Sequence, residues 1–164
     1  MSKKTSATKE RLNAHRDMLE KLAALKQELD YTEAQYSNAP GRNHNDLMRE
    51  EAIDSKKTEL EKRVKEKEAE IEADWAELEP FVEKLSPIET LVVNLRYYYG
   101  AEWDEIHFQL FGKRHDYVDE IDRYQNRTFK IHGRALLALA EMMEKTESSA
   151  GLPQELRKKV SKKQ

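Results

Sequence analysis

Residues 56–79 read KKTELEKRVKEKEAEIEADWAELE, a segment in which Lys and Glu alternate around widely spaced apolar residues. Many oppositely charged side chains lie four residues apart, a spacing that stabilises an exposed helix. The apolar residues of this part of the chain recur at helical intervals, and they are Ile53, Leu60, Val64, Ile71 and Leu78. Lys57 and Lys67 interrupt this seam. The pattern predicts one long helix over about 46–78 with a narrow apolar seam.

A second segment, 9–36, has the same character, with leucines at helical spacing. Between the two lies SNAPGRNHND, residues 37–46, whose Asn, Pro, Gly and Asp are typical of turns. We therefore expect an antiparallel, coiled-coil-like hairpin over 9–79 that dimerises or binds a partner. Residues 1–8 are rich in Lys, Ser and Thr, and they are expected to be disordered. Charged residues make up 37% of the chain and aromatic residues 8%, which favours elongated helices.

The sequence changes character near Pro80, which is expected to end or kink the second helix. Ser86, Pro87 and Glu89 then form a typical helix start, with a capping side chain, a proline and an acid in the first turn. Gly100 follows LVVNLRYYY and is expected to end that helix in the left-handed conformation. Apolar residues become dense here, and the expected core consists of Leu91, Val92, Leu95, Tyr98, Trp103, Ile106, Leu110, Phe129, Ile131, Leu136 and Leu139.

A basic segment follows this apolar region. Residues 123–140, RYQNRTFKIHGRALLALA, contain four Lys and Arg residues and no acid. They come after a short helix that opens at EWDEI, residues 102–106. Helix, turn, helix and then a basic helix is the arrangement of a helix-turn-helix DNA reader. The fold class expected for the whole chain is all-α, with such a module over 80–145 and its basic helix starting near residue 124.

Nine side chains of this module are candidates for DNA contact. Arg127, Thr128 and Lys130 are the best candidates for reading bases, since they lie in the early turns of the basic helix. Gln125 and Asn126 carry amides that suit adenine edges or backbone oxygens. The other candidates are expected at the groove or the phosphates, and they are Arg96, Arg123, His132 and Arg134. An ion-paired or solvated Arg96 and a helix-packing His132 are the alternatives.

Other residues of the basic helix have structural interpretations. Phe129 and Ile131 are expected to pack inward, and Gly133 to permit close helix packing. His132 shows no metal-ligand spacing with the other histidines, so no metal site is expected. There is no phosphate-binding glycine loop and no nucleophile motif, which argues against an enzyme and a cofactor.

Two segments carry a family resemblance. LSPIETLVVNLRYYYGAEWDEIHFQL, residues 85–110, followed by YQNRTFKIHGRALLAL, residues 124–139, resembles region 4 of primary sigma factors. The closer resemblance is to small phage-encoded transcriptional regulators of the ArpU/RinA-like group. Their shared motifs are an LRYYYG-like helix end, a W-x-E-I helix and a reader helix with an IHG-ALxxL-type end. The resemblance implies a sigma region 4-like helix-turn-helix module that binds DNA.

This chain departs from the family pattern between the two segments. FGKRHDYVDEIDR, residues 111–123, intervenes where the family has a tight turn, and its 116–122 part is acidic. The insertion is either a lengthened turn or an extension of the preceding helix, with Tyr117, Val118 and Ile121 as one apolar edge. Residues 146–164 are expected to form a basic, flexible tail.

The expected function is that of a sequence-specific transcriptional regulator of phage or prophage type. Its partners would be double-stranded DNA, host RNA polymerase and a second copy of the chain in a homodimer. The alternative is an adaptor or anti-sigma-like protein that keeps the fold without specific DNA binding, for which the acidic insertion would be a protein-facing surface. The N-terminus lacks a signal-like apolar run, the longest apolar run cannot span a bilayer, and cysteine is absent. A cytoplasmic location without membrane contact is therefore expected.

Overall fold

The computed structural model describes residues 3–37 and 44–150, and every regular element among them is a helix. The expected all-α class is confirmed. The elements in chain order are α1 (Lys3–Ser37), α2 (His44–Val82), α3 (Pro87–Val93) with a π-helical continuation (Asn94–Tyr98), α4 (Trp103–Phe111) and α5 (Ile121–Ala150). The predicted 37–46 loop lies mostly outside the described residues. Of the flexible tail predicted over 146–164, residues 146–150 are instead the last residues of α5, and the rest lies outside the described residues.

The chain divides into two compact units. One, the hairpin unit, consists of residues 15–77. The other, which we call the bundle unit, combines residues 1–14 with residues 78–164. The second boundary falls close to the predicted one at 79–80. The first boundary was not predicted, because the start of α1 looks like part of the hairpin in sequence.

The first turns of α1 belong to the bundle unit. Residues 3–8 were expected to be disordered, but they are helical, and the side chains of Thr5 and Thr8 are buried. Lys4 Nζ forms an ion pair with Glu144 Oε2 at 2.7 Å. Leu12, about one helical turn after Thr8, is fully buried. A segment that is polar in composition is therefore ordered by contacts that lie far away in the sequence.

Ion pairs within the hairpin unit define the antiparallel register of α1 and α2. Lys26 pairs with Glu68 at 3.4 Å, and Lys56 pairs with Glu28 at 3.7 Å. Because the later residue of α2 pairs with the earlier residue of α1, the two helices run in opposite directions. Exposed pairs of this kind contribute little stability. The apolar seam contributes more, and its buried members on α2 are Ile53, Leu60, Val64 and Trp75.

A polar pair with one fully buried member also joins the two helices of the hairpin unit. His15 is fully buried, and its Nδ1 lies 2.7 Å from Asp74 Oδ2. The imidazole ring also lies against Trp75, with 5.1 Å between ring centroids. This pair was not predicted, since nothing in the sequence links residues that are 59 positions apart.

Local signals define the ends of α3 as predicted. The expectation that Pro80 ends the preceding helix is wrong, because Pro80 lies inside α2, which continues to Val82. Ser86 then caps α3, and its backbone N–H donates a hydrogen bond to Glu89 Oε1 at 3.3 Å. Gly100 has a φ of 74°, the left-handed conformation expected of a glycine after a helix.

A π-helical turn before Gly100 changes which residues face the core. The Tyr99 N–H donates to the Asn94 carbonyl at 2.9 Å, a bond one residue longer than that of an α-helix. Tyr97 is buried, whereas Tyr98, the predicted core residue, is 46% exposed. Leu91 and Phe129 were also predicted in the core, and they are about half exposed. Ile106, Ile131, Leu136 and Leu139 are buried as predicted.

Candidate nucleic-acid interface

Helix α5 has one buried face and one basic face, each with helical periodicity. The buried face includes Tyr124, Thr128, Ile131 and Ala135. The residue directly before each of these four buried residues is exposed and basic. These basic residues are Arg123, Arg127, Lys130 and Arg134. Intervals of four, three and four residues place these four side chains in one line along the helix. We call this line the basic stripe.

The basic stripe is not neutralised within the described part of the chain. None of its four members forms an ion pair there with a carboxylate. The guanidinium of Arg127 lies 5.3 Å from the ring centroid of Phe111, a cation–π contact that leaves its N–H groups available. The stripe therefore presents four positive charges to solvent on a single helix face.

The acidic part of the insertion does not cover the stripe. Asp116 accepts a hydrogen bond from the Tyr124 hydroxyl at 2.5 Å. Asp119, Glu120 and Asp122 are exposed, and none of them pairs with the stripe among the described residues. Asp122 lies in the first turn of α5, where a negative charge interacts favourably with the helix dipole.

The insertion is a lengthened turn rather than an extension of α4. Helix α4 ends at Phe111, and α5 begins at Ile121, three residues before the predicted start. The intervening connection, residues 112–120, is a series of hydrogen-bonded turns. Val118 is 82% exposed, and Ile121 is also exposed, so only Tyr117 of the predicted apolar edge packs inward.

Aromatic rings attach the connection to the helices on either side. Tyr124 stacks on Phe111, with 4.9 Å between ring centroids, and Tyr117 stacks on Tyr124 at 5.9 Å. Phe108 contacts Tyr117 edge-on at 5.9 Å. Gly112 begins the connection, and a Cβ atom there would lie 2.4 Å from the Phe108 carbonyl oxygen. The connection thus has one defined path between α4 and α5.

The hydrogen bond between Asp116 and Tyr124 shifts the pKa values of the two groups in opposite directions. Donation by the tyrosine hydroxyl lowers the pKa of the Asp116 carboxyl, and the nearby charges of His115 and Arg123 add to this effect. The same bond raises the pKa of Tyr124. Both shifts favour a neutral tyrosine that donates to a carboxylate, so the bond persists throughout the neutral pH range.

Two predicted contact residues are buried and unavailable to DNA in this structure. Thr128 is fully buried, and its hydroxyl donates to the Tyr124 carbonyl at 3.0 Å. His132 is 6% exposed, and its Nε2 shares a hydrogen bond of 2.6 Å with the Tyr97 hydroxyl. The helix-packing alternative for His132 is therefore the one observed. Gly133 does not permit close packing as expected, because it is exposed and nothing lies within 4 Å of a Cβ placed there.

Arg96 is engaged inside the bundle unit instead of being open to phosphates. Its Nη1 donates to the Ala101 carbonyl at 3.1 Å and lies 3.6 Å from Glu102 Oε2. The guanidinium also lies over the Trp103 ring, 4.7 Å from the centroid. These contacts attach the turn around Gly100 to the start of α4, which is a positioning role.

The two amide candidates differ in exposure. Asn126 is exposed and precedes Arg127, so it lies beside the basic stripe. Gln125 is half-buried. Of the nine candidates, the structure brings five together on one exposed face, namely Arg123, Asn126, Arg127, Lys130 and Arg134.

An aromatic cluster around His132 supports α5 from behind. The His132 ring contacts Trp103 edge-on at 4.8 Å, and Phe129 contacts Trp103 at 5.0 Å. His107 stacks on Trp103 at 6.3 Å and is almost fully buried. Burial, together with the charges of Lys9 and Arg96, lowers the pKa of His132 to about 4. Burial also lowers the pKa of His107.

The low pKa of His132 predicts that the fold weakens in mild acid. An unfolded histidine has a pKa of about 6.5, so this group stabilises the fold fully above that pH. The contribution is lost as pH falls through 6.5 toward 4, by about 3–4 kcal/mol in total. Urea unfolding followed at several pH values measures this slope. We expect His132→Gln to flatten it and Gln109→Asn, at an exposed position without a titratable group, to leave it unchanged. An equal slope in the wild type and His132→Gln would contradict the assignment.

Comparison with known proteins gives no match for this chain. No family model, no curated protein and no solved structure matches the chain. Among the described residues, no group of three His, Asp or Glu side chains is placed to hold a metal ion. In the same part of the chain, no helix combines the length and the apolar character needed to cross a lipid bilayer.

Proposed function

We propose that this protein is a sequence-specific DNA-binding transcriptional regulator that reads DNA with the exposed face of α5. The observation that carries the proposal is the basic stripe, in which four cations lie in line and none has a carboxylate partner among the described residues. Unpaired cations in a line are suited to phosphates, which supply most of the affinity of such complexes.

The dimensions of the stripe support this use. Arg123 and Arg134 are separated by eleven residues, which corresponds to about 17 Å along a helix. The major groove is roughly 12 Å wide, so cations at the two ends can reach phosphates on either side of it. Asn126 lies between these ends and carries a donor and an acceptor that fit an adenine edge. The combination provides backbone affinity together with one group able to distinguish bases.

The proposed partners follow from the size of the module. One helix in one groove buries a small interface, and useful specificity then requires two copies or a second protein. We therefore include in the proposal a homodimer formed through the hairpin unit and contact with host RNA polymerase. Sedimentation equilibrium of the full chain tests the dimer, and a monomer at all concentrations would contradict it.

Binding to duplex DNA is the direct test of the proposal. Fluorescence anisotropy would be measured with DNA from upstream of the gene and its neighbours, and with a random duplex, at two salt concentrations. We expect binding that weakens steeply with salt and a preference for one upstream sequence over random duplex of about a thousand-fold or more. The absence of binding at low salt would contradict the proposal. It would favour the adaptor alternative, in which a protein partner would bind the surface that carries the exposed acids Asp119 and Glu120.

A further inference from the structure

A second basic cluster lies in the connection between α4 and α5. Lys113, Arg114 and His115 are consecutive in sequence, and all three side chains are exposed. None of them forms an ion pair with a carboxylate among the described residues. The insertion was notable in the sequence for its acids, yet its first half is basic.

The backbone of this cluster is held on both sides. On its N-terminal side, the backbone N–H of Arg114 donates a hydrogen bond to the carbonyl of Phe111, the last residue of α4, at 3.0 Å. After it, the Tyr117 N–H donates to the Arg114 carbonyl at 3.1 Å, and the Asp116 carboxylate accepts the hydrogen bond of Tyr124. Since Tyr124 belongs to the first turn of α5, the cluster is anchored to the helix that carries the basic stripe.

The cluster lies close to the first member of that stripe. The hydrogen bond of 2.5 Å that the Tyr124 hydroxyl donates to Asp116 brings them together, since Asp116 directly follows His115 and Tyr124 directly follows Arg123. The same bond raises the pKa of the Tyr124 hydroxyl, and the charges of Arg114 and Arg123 both act on it in the opposite direction. The cluster and the first member of the stripe are therefore neighbours.

We propose that Lys113, Arg114 and His115 form a second phosphate-binding element, which continues the basic stripe of α5 onto the DNA backbone. The inference rests on the proposed function and assigns a task to the segment in which this chain departs from the family it resembles. An anchored backbone reduces the ordering cost that a flexible basic loop would have on binding. Asp119 and Glu120, later in the connection, repel phosphates, which confines the contact to the first half.

Phosphate contacts of this kind strengthen binding to all sequences equally. The test compares Lys113→Ala/Arg114→Ala with wild type on both an upstream duplex and a random duplex, over a series of salt concentrations. We expect the double variant to bind about ten-fold more weakly at physiological salt and to lose about 1.8 from the slope of log affinity against log salt, roughly 0.9 per contact. The loss should be the same for both duplexes.

The matched control is Lys84→Ala/Lys145→Ala, which removes two exposed lysines of the bundle unit that lie outside both the stripe and the connection. It should retain the wild-type slope. A Lys113→Ala/Arg114→Ala protein with wild-type affinity and slope, in a preparation whose wild type binds DNA, would overturn the inference and leave the proposed function standing. A wild type that binds no DNA would overturn both. A loss confined to the upstream duplex would also overturn the inference, because it would indicate base reading.

Discussion

Replacing Arg123, Arg127, Lys130 and Arg134 together by alanine is expected to abolish measurable DNA binding at physiological salt. Each cation that neutralises a phosphate contributes roughly 0.9 to the salt slope, so the slope should fall by about 3.6. The affinity should fall by about a thousand-fold or more, which corresponds to roughly 1 kcal/mol per contact. Salt-dependent anisotropy of wild type and variant on the same duplex measures both quantities.

The fold should survive this substitution, which makes the experiment interpretable. All four side chains are exposed, and alanine is the most favourable residue for a helix interior. Circular dichroism and urea unfolding should therefore give wild-type values within about 0.5 kcal/mol. The control removes four exposed basic residues from elsewhere in the bundle unit, namely Lys3, Lys4, Lys84 and Lys145. If the control lost as much affinity as the stripe variant, net charge rather than the stripe would be responsible, and the proposed interface would be wrong.

Signals that act over a few residues were read correctly from the sequence. The capping serine and proline before α3 and the glycine after it define a helix through backbone geometry alone, so Ser86 and Gly100 have the predicted roles. The hairpin follows from apolar periodicity and a turn composition, which are also local properties.

The identity of the core tyrosine depends on a backbone irregularity that has no local signature. Counting at α-helical spacing predicts that Tyr98 is buried, but the π-helical turn places Tyr97 inside. Tyr97 is then fixed by His132, which lies 35 residues away in sequence. A pairing of that range cannot be read from one sequence, and for the same reason the sequence leaves both a phosphate contact and a helix-packing role open for His132.

The candidate site was predicted only in part, because an acid-free basic segment indicates which helix carries it but not which face of that helix. Thr128 was chosen for its position in an early turn of α5, and it is buried. Residues three or four apart share a face of a helix. By this rule Thr128 lies on the face of the apolar Tyr124 and Ile131, and not on the face of the basic residues. The signal that excludes Thr128 is therefore present in the sequence. By contrast, the role of Arg96 depends on the turn that it binds, which only the structure shows.

The start of α1 provides the second large prediction, which concerns stability. Leu12 lies in a polar helix that resembles the rest of the hairpin, yet it belongs to the bundle unit and is fully buried there. Leu12→Ala should therefore lower the free energy of unfolding of the bundle unit by about 2–5 kcal/mol, the usual cost of truncating a buried leucine. Glu10→Ala, at an exposed position two residues earlier, should change it by less than about 0.5 kcal/mol.

The two tryptophans allow this prediction to be assigned to one unit. Trp75 lies in the hairpin unit and Trp103 in the bundle unit, so a Trp75→Phe background leaves a fluorophore that reports on the bundle alone. Urea unfolding in that background should show a lower midpoint for Leu12→Ala than for Glu10→Ala. In the complementary Trp103→Phe background, the Trp75 signal should be displaced less. If only the Trp75 signal moved, the first turns of α1 would belong to the hairpin. In that case α1 would not stabilise the bundle unit, and the helices of the bundle unit that pack against α5 would have to be stable without residues 3–14.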